Sequence, residues 1–188
     1  MNMITAPPMD KATFYRWLER QERRWELVEG VPRMLPYVTS SHARVCTNIM
    51  ALLLAVLDRD VYDIVQGDFA IETGPRSVRF ADVMVLPFVE DPKGRHTVVA
   101  PLVVEVLSER TEHVDFGEKV LEYGALPGVD VYMICAQDKA TVWLWRRDPQ
   151  EGWPREPEIL DSLEDAVRLP RIGVDLPLPE IFRRVKVS

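Results

Sequence analysis

A chain of 188 residues with 47% apolar and 28% charged side chains has the composition of a folded globular protein, which excludes extensive disorder. It can bury roughly 70% of the surface its extended form exposes, so it needs neither a disulfide nor a structural metal to fold, and a single domain is expected. The net charge of −7 excludes a protein that holds nucleic acid by bulk basic charge, but not an enzyme that gathers carboxylates around a metal ion.

In chain order, Asp10 predicts the cap of a helix from about Lys11 to Arg23, with Phe14, Trp17 and Leu18 as its apolar stripe. The opening residues Met1 to Asp10 show neither the basic region nor the apolar stretch of a signal peptide. Trp25 to Leu35 reads as two short strands turning near Gly30. Ser40 and Ser41 start a second helix, with Val45, Ile49, Leu52, Leu53 and Val56 on its buried face. The longest apolar run, Ile49 to Leu57, falls far short of the roughly 20 residues a membrane-spanning helix requires. Strands are predicted around Phe69–Thr73 and Val78–Leu86. Leu102 to Leu107 follows as a central strand covered on both faces. Asp115 and Glu118 have the spacing of a capping box for a helix reaching Ala125, stopped by Pro127 and Gly128. Val131–Ala136 and Thr141–Arg146 are two further strands. The expected architecture is α/β (α+β), a central mixed sheet flanked by helices over about residues 11–147, with a Pro-rich C-terminal extension over about 148–188. Cys46 and Cys135 lie in apolar contexts, as expected of buried free thiols in a reducing, cytoplasmic setting.

Three charged residues sit against core rules. Asp82 interrupts the apolar stretch Val78 to Leu86, and Glu105 interrupts Leu102 to Leu107. A buried ionised carboxylate costs several kcal/mol unless it is paired or holds a metal, as about that much solvation is lost. Either residue alone could point to solvent from an edge strand or accept backbone hydrogen bonds; two on successive strands make that account weaker. Lys119 falls about 60° from Phe116 on a helical wheel, at the border of the face formed with Val120 and Tyr123. Its ammonium could snorkel to water or turn inward to the carboxylates of the preceding strand. In the second case, two carboxylates and a lysine at a sheet edge are the parts of metal-assisted phosphodiester cleavage.

The segments Trp25-Glu26-Leu27-Val28-Glu29-Gly30, Ser41-His42, Arg79-Phe80-Ala81-Asp82-Val83 and Leu102-Val103-Val104-Glu105-Val106-Leu107-Ser108 occur in that order. Thr111, Asp115, Lys119, Tyr123 and Gly128-Val129 follow them. Over about residues 20 to 147 this pattern resembles the bacterial Uma-type family of restriction-endonuclease-like proteins, within the PD-(D/E)XK nuclease superfamily. The resemblance implies a restriction-endonuclease-like core with the superfamily's aspartate at Asp82 and its glutamate at Glu105, both as metal ligands. The linear motif's lysine position is Leu107 here, and the resemblance puts that function on Lys119, the residue the helical wheel also reaches. Where members carry proline before the aspartate, this chain has Ala81. The resemblance further implies Mg²⁺, with Mn²⁺ as a substitute, and DNA as the partner. Glu26 matches an acidic family position and could add a metal or water ligand. Glu29 is its rival, because alternation puts the two on opposite faces of a strand, and turn-flanking surface carboxylates would account for both.

Weaker candidates remain. His42 opens a helix, where a solvated or capping role competes with catalysis, and Asp115 is most simply an N-cap. Arg16, Arg20, Arg23 and Arg24 could face phosphate or form a solvated strip. The chain has no zinc-type Cys/His spacing, no P-loop and no G-x-S-x-G elbow. The leading expectation is a Mg²⁺-dependent endonuclease acting on DNA, a homodimer if it cuts both strands of a duplex. The rivals are a nuclease-fold binding or assembly module and a two-carboxylate glycoside hydrolase, in which Lys119 would have no role.

Overall fold

The computed structural model describes residues 8–91, 93–108 and 112–186. Thr111 lies outside them. Asp10 caps α1 (Lys11–Leu18) by accepting the Thr13 N–H at 2.6 Å. The helix stops short of the expected Arg23, because Glu19 to Arg24 holds no apolar side chain to bury. Strands β1 (Trp25–Val28) and β2 (Val31–Met34) form the predicted hairpin. Its two turn residues, Glu29 and Gly30, both have positive φ (49° and 83°), the conformation of a two-residue turn matched to strand twist. A Cβ on Gly30 would lie 2.6 Å from Pro8 Cβ, so glycine is required there for space as well.

The cap of α2 (Ser40–Val56) is Thr39, not Ser40 or Ser41; its Oγ1 accepts the His42 N–H at 3.1 Å. The buried stripe is His42, Val45, Cys46, Ile49 and Leu53, whereas Val56, expected on that face, is exposed. The chain continues through β3 (Tyr62–Gln66), β4 (Ala70–Gly74), β5 (Ser77–Arg79), β6 (Val83–Pro87), β7 (His96–Thr97) and β8 (Val99–Val106). The single strand expected over Val78–Leu86 is therefore two. β5 pairs with β1 and β4 in a five-stranded sheet of order β2-β1-β5-β4-β7, while β6 pairs with β3 and β8 in a six-stranded one. Phe80 to Asp82 is the crossing between them.

After α3 (Glu112–Asp115) and α4 (Glu118–Ala125) come β9 (Gly128–Cys135), β10 (Val142–Arg146) and β11 (Glu158–Leu160), completing the order β11-β10-β9-β8-β6-β3. β8 and β9 are parallel, joined through the two helices; the other pairs in this sheet are antiparallel. The mixed sheet with flanking helices is thus as expected.

Strand alternation divides this sheet into two faces. Val83, Val85, Val104, Val106, Met133 and Cys135 pack with α2 on one side. Met84, Leu86, Val103, Tyr132 and Ile134 pack with α4 on the other. The Pro-rich C-terminal segment supplies β11, the hairpin β12 (Ala166–Leu169) and β13 (Val174–Pro177), and α5 (Leu178–Ile181). Its Val167, Leu169, Val174, Leu176, Leu178 and Ile181 are buried in the α2 cluster. Both cysteines are buried and free, as expected. Among the described residues no helix is long and apolar enough to cross a membrane.

Candidate active site

Register brings the two interrupting carboxylates together. β6 runs antiparallel to β8 with Val83 opposite Val104, so one step further along the ladder Asp82 faces Glu105. At that point the chain leaves the sheet, and the Asp82 side chain takes over from the backbone. Its Oδ2 accepts the Val106 N–H at 2.7 Å and lies 3.1 Å from His42 Nε2. A carboxylate here ends the ladder without orphaning the last strand N–H. Glu105 shares the parity of Val103, so its side chain points to the face that α4 covers.

Lys119 and Tyr123 are one helical turn apart on α4, so both meet that face. Lys119 is only 4% exposed, with Nζ 2.8 Å from Glu105 Oε1, 3.0 Å from Asp115 Oδ1 and 3.9 Å from Glu26 Oε1. The Tyr123 hydroxyl donates to Glu105 Oε1 at 3.1 Å. The inward alternative for the lysine holds and the snorkelling one does not. Asp82, Glu105 and Lys119 line one pocket together with His42, Arg24, Phe80, Val106, Ser108 and the segment Leu35 to Val38. Of the four N-terminal arginines considered as a phosphate strip, Arg24 alone lines this pocket.

Glu26 and Glu29 are also separated. Glu26 is buried, accepting from Arg79 Nη1 at 3.0 Å and from the Phe80 N–H at 3.2 Å, and it faces Lys119. Glu29 occupies the hairpin turn and accepts from the Ser77 hydroxyl. Alternation is not the reason, since Glu29 lies beyond the end of β1.

Three readings need correction. Asp115 is not an N-cap: the cap of α4 is Gly117, which makes no side-chain cap bond, and the Asp115 carboxylate is buried against Lys119. A residue with a buried ammonium to neutralise does not swing out to cap backbone. His42 is neither solvated nor capping; it lies on the buried stripe of α2 with Nδ1 3.6 Å from Cys46 Sγ. The recurrence of His42, Cys46, Ile49 and Leu53 at helical spacing was the available signal. Asp82 stands at a crossing between sheets rather than within a strand.

Arg79 escaped the sequence reading as a site residue. Fully buried, it donates to Glu26, Glu118 and Glu122, and an arginine in so apolar a stretch was its only mark.

The electrostatics of the cluster are one-sided. Four carboxylates (Glu26, Asp82, Glu105, Asp115) face one ammonium and one guanidinium, and Arg79 is shared with two further glutamates. Burial pushes the Glu105 carboxyl well above the usual carboxylate range. The charges of Asp82, Asp115 and Glu26 act the same way, with Lys119 opposing. Burial also works against the charge of Lys119, but Glu105, Glu26 and Asp115 outweigh it and hold the ammonium protonated. Burial is the largest influence on both groups, and the neighbouring carboxylates act on each in the sense that favours a bound proton. Hard oxygen donors with excess negative charge, lining an open pocket, fit a small divalent cation.

A crystal structure of a "putative nuclease belonging to DUF820" from Anabaena variabilis superimposes with a TM-score of 0.76 at 17% identity, covering 93% of this chain and 98% of the other. That likeness shows the restriction-endonuclease-like fold. An uncharacterized protein of Synechocystis sp. is 25% identical over 180 residues, 94% of this chain and 93% of the relative. The model of the Uma2 family, described as "Putative restriction endonuclease", matches residues 12–178. With residues 12–178 of its 188 matched by the family model, this chain belongs to the Uma2 family.

Proposed function

We propose that the protein is a Mg²⁺-dependent endonuclease of the cytoplasm that hydrolyses DNA phosphodiester bonds, with Mn²⁺ able to replace Mg²⁺. Asp82 and Glu105 would hold the ion. Once bound, it would polarise the scissile phosphate and lower the pKa of a water. The observation that carries this reading is the buried Lys119 ammonium 2.8 Å from Glu105, in a pocket that Asp82 also lines.

The chain's own groups divide the remaining work. The Val106 N–H and His42 orient Asp82, and the Tyr123 hydroxyl orients Glu105. Lys119, kept charged by its carboxylate neighbours, offsets charge developing on the phosphate and orients the attacking water. Glu26, clamped by Arg79, is a positioning residue for that ammonium, so Glu26→Gln should lower kcat with little change in KM. Arg24 at the rim of the pocket can meet a phosphate. A binding module freed of catalysis would have no reason to keep such costly buried charges. Cutting both strands of a duplex would favour a two-fold dimer.

The test is cleavage of supercoiled and single-stranded DNA with Mg²⁺, with Mn²⁺ and with chelator. Wild type should cut only with the ions. Glu105→Ala and Lys119→Ala, shown folded by circular dichroism, should each lose at least about 100-fold, as expected when a group that stabilises transition-state charge is removed. Retained cleavage in either variant would show that the site lies elsewhere.

A further inference from the structure

His42 and Cys46 are one helical turn apart on α2, so their side chains project from the same face. Asp82 approaches that face from the crossing between the sheets. One imidazole nitrogen, the Cys46 thiol sulfur and one Asp82 oxygen lie within 4.8 Å of one another. Tetrahedral coordination at the usual zinc bond lengths sets ligand atoms about 3.5 Å apart, so only a modest side-chain contraction is needed. The three residues line a cavity of about 290 Å³, beside the pocket of Glu105 and Lys119, which gives an ion a route in and leaves a fourth position for water. Magnesium is the wrong ion for this set, because it takes oxygen donors in octahedral geometry, whereas sulfur and imidazole select zinc-class cations.

We propose that His42, Cys46 and Asp82 form a second metal site, for a zinc-class divalent cation. Because Asp82 also belongs to the Mg²⁺ pair, occupancy of this site blocks the nuclease; this second step rests on the proposed function. The Cys46 thiol gives its proton to solvent and its sulfur binds the cation as thiolate; the neutral His42 ring binds through its unprotonated nitrogen and keeps its one N–H on the other, so the 3.1 Å contact between His42 Nε2 and Asp82 gives way to one bond from each residue to the ion. No oxidant or reductant is involved. Glu105 takes no part in this site.

Cobalt(II) makes the site visible. Titrated into the full-length, reduced, metal-free protein, Co²⁺ should produce a near-ultraviolet thiolate-to-cobalt charge-transfer band that saturates at one equivalent and is displaced by Zn²⁺. Cys46→Ser, Cys46→Ala and His42→Ala should abolish the band. Cys135→Ser and Glu105→Gln should keep it. Circular dichroism checks that each variant is folded, and the pair of Cys46 variants guards against failure of one. In cleavage assays with excess Mg²⁺, Zn²⁺ should inhibit wild type, and Cys46→Ser should raise the half-inhibitory Zn²⁺ concentration at least tenfold. No band, or a band that survives both Cys46 substitutions, overturns the site. A band with equal zinc sensitivity in wild type and Cys46→Ser overturns the competition. A band without Mg²⁺-dependent cleavage in any protein upholds the site and overturns the nuclease reading instead.

Discussion

Glu105 shows most directly how one residue couples stability to function. Its carboxyl titrates well above the ordinary 4.5 because burial and three neighbouring carboxylates disfavour its charge, with Lys119 opposing. A group whose folded pKa is raised contributes stability that is full below the unfolded pKa and lost as pH rises through the folded one. Glu105→Gln imitates the protonated form and keeps an acceptor for Tyr123. The metal-free variant should therefore be more stable than wild type at neutral and alkaline pH, by about 1 kcal/mol, with the gap closing towards pH 4.5. Mg²⁺ should raise the wild-type melting temperature with concentration, since it binds only the folded state, and should barely move the variant. Thermal melts across pH and Mg²⁺ measure both effects; equal melting at all pH values would contradict the electrostatic account.

Arg79 acts at the scale of elements. From β5 it reaches Glu26 on β1 and Glu118 and Glu122 on α4, so one guanidinium ties two strands to the helix that carries Lys119. Glu118 is partly exposed and also paired with Arg33, so it can turn to water. Glu26 cannot, because it is buried against the Phe80 N–H. Arg79→Met fills the space but takes the hydrogen-bonded guanidinium from Glu26, leaving it the Lys119 ammonium at 3.9 Å that Glu105 and Asp115 already share, and should cost about 3 kcal/mol. Urea unfolding would measure it. Adding Glu26→Gln to Arg79→Met should recover part of the loss, since the stranded charge is then gone; no recovery would show that the arginine works through packing.

For the whole molecule, the C-terminal segment completes the core. Val167, Leu169, Val174, Leu176, Leu178 and Ile181 pack with Val104, Val106 and Met133 of the central sheet, and the Asn48 amide on α2 donates to the Ile181 carbonyl. Truncation after residue 147 would expose the side of the sheet that α2 and this segment share. The shortened chain should fail to give a cooperative unfolding transition and should bind a hydrophobic dye, as loosely packed states do. A soluble fragment with a sharp melt would show instead that residues 11–147 fold alone.

Much of the protein could be read from local pattern. Asp10 as a cap, the hairpin turn near Gly30, the Leu102–Leu107 strand and the misplacement of Asp82, Glu105 and Lys119 depend on neighbours in the chain, and periodicity records those. The segments that carry the resemblance to the family are local in the same sense. What local pattern could not decide were contacts between residues far apart in sequence. Val78–Leu86 looks like one strand because strand-forming apolar residues lie on both sides of Asp82; only pairing partners from β1 and β4 on one side, and β3 and β8 on the other, divide it there. Asp115 has the right spacing for a cap, yet the buried ammonium of Lys119 claims it. His42 lies 40 positions from Asp82 and Arg79 53 from Glu26, and nothing in the chain between them announces either pair. Charge and hydropathy mark which residues must find a partner; only packing selects the partner, because the cost of a buried charge is set by what surrounds it in space.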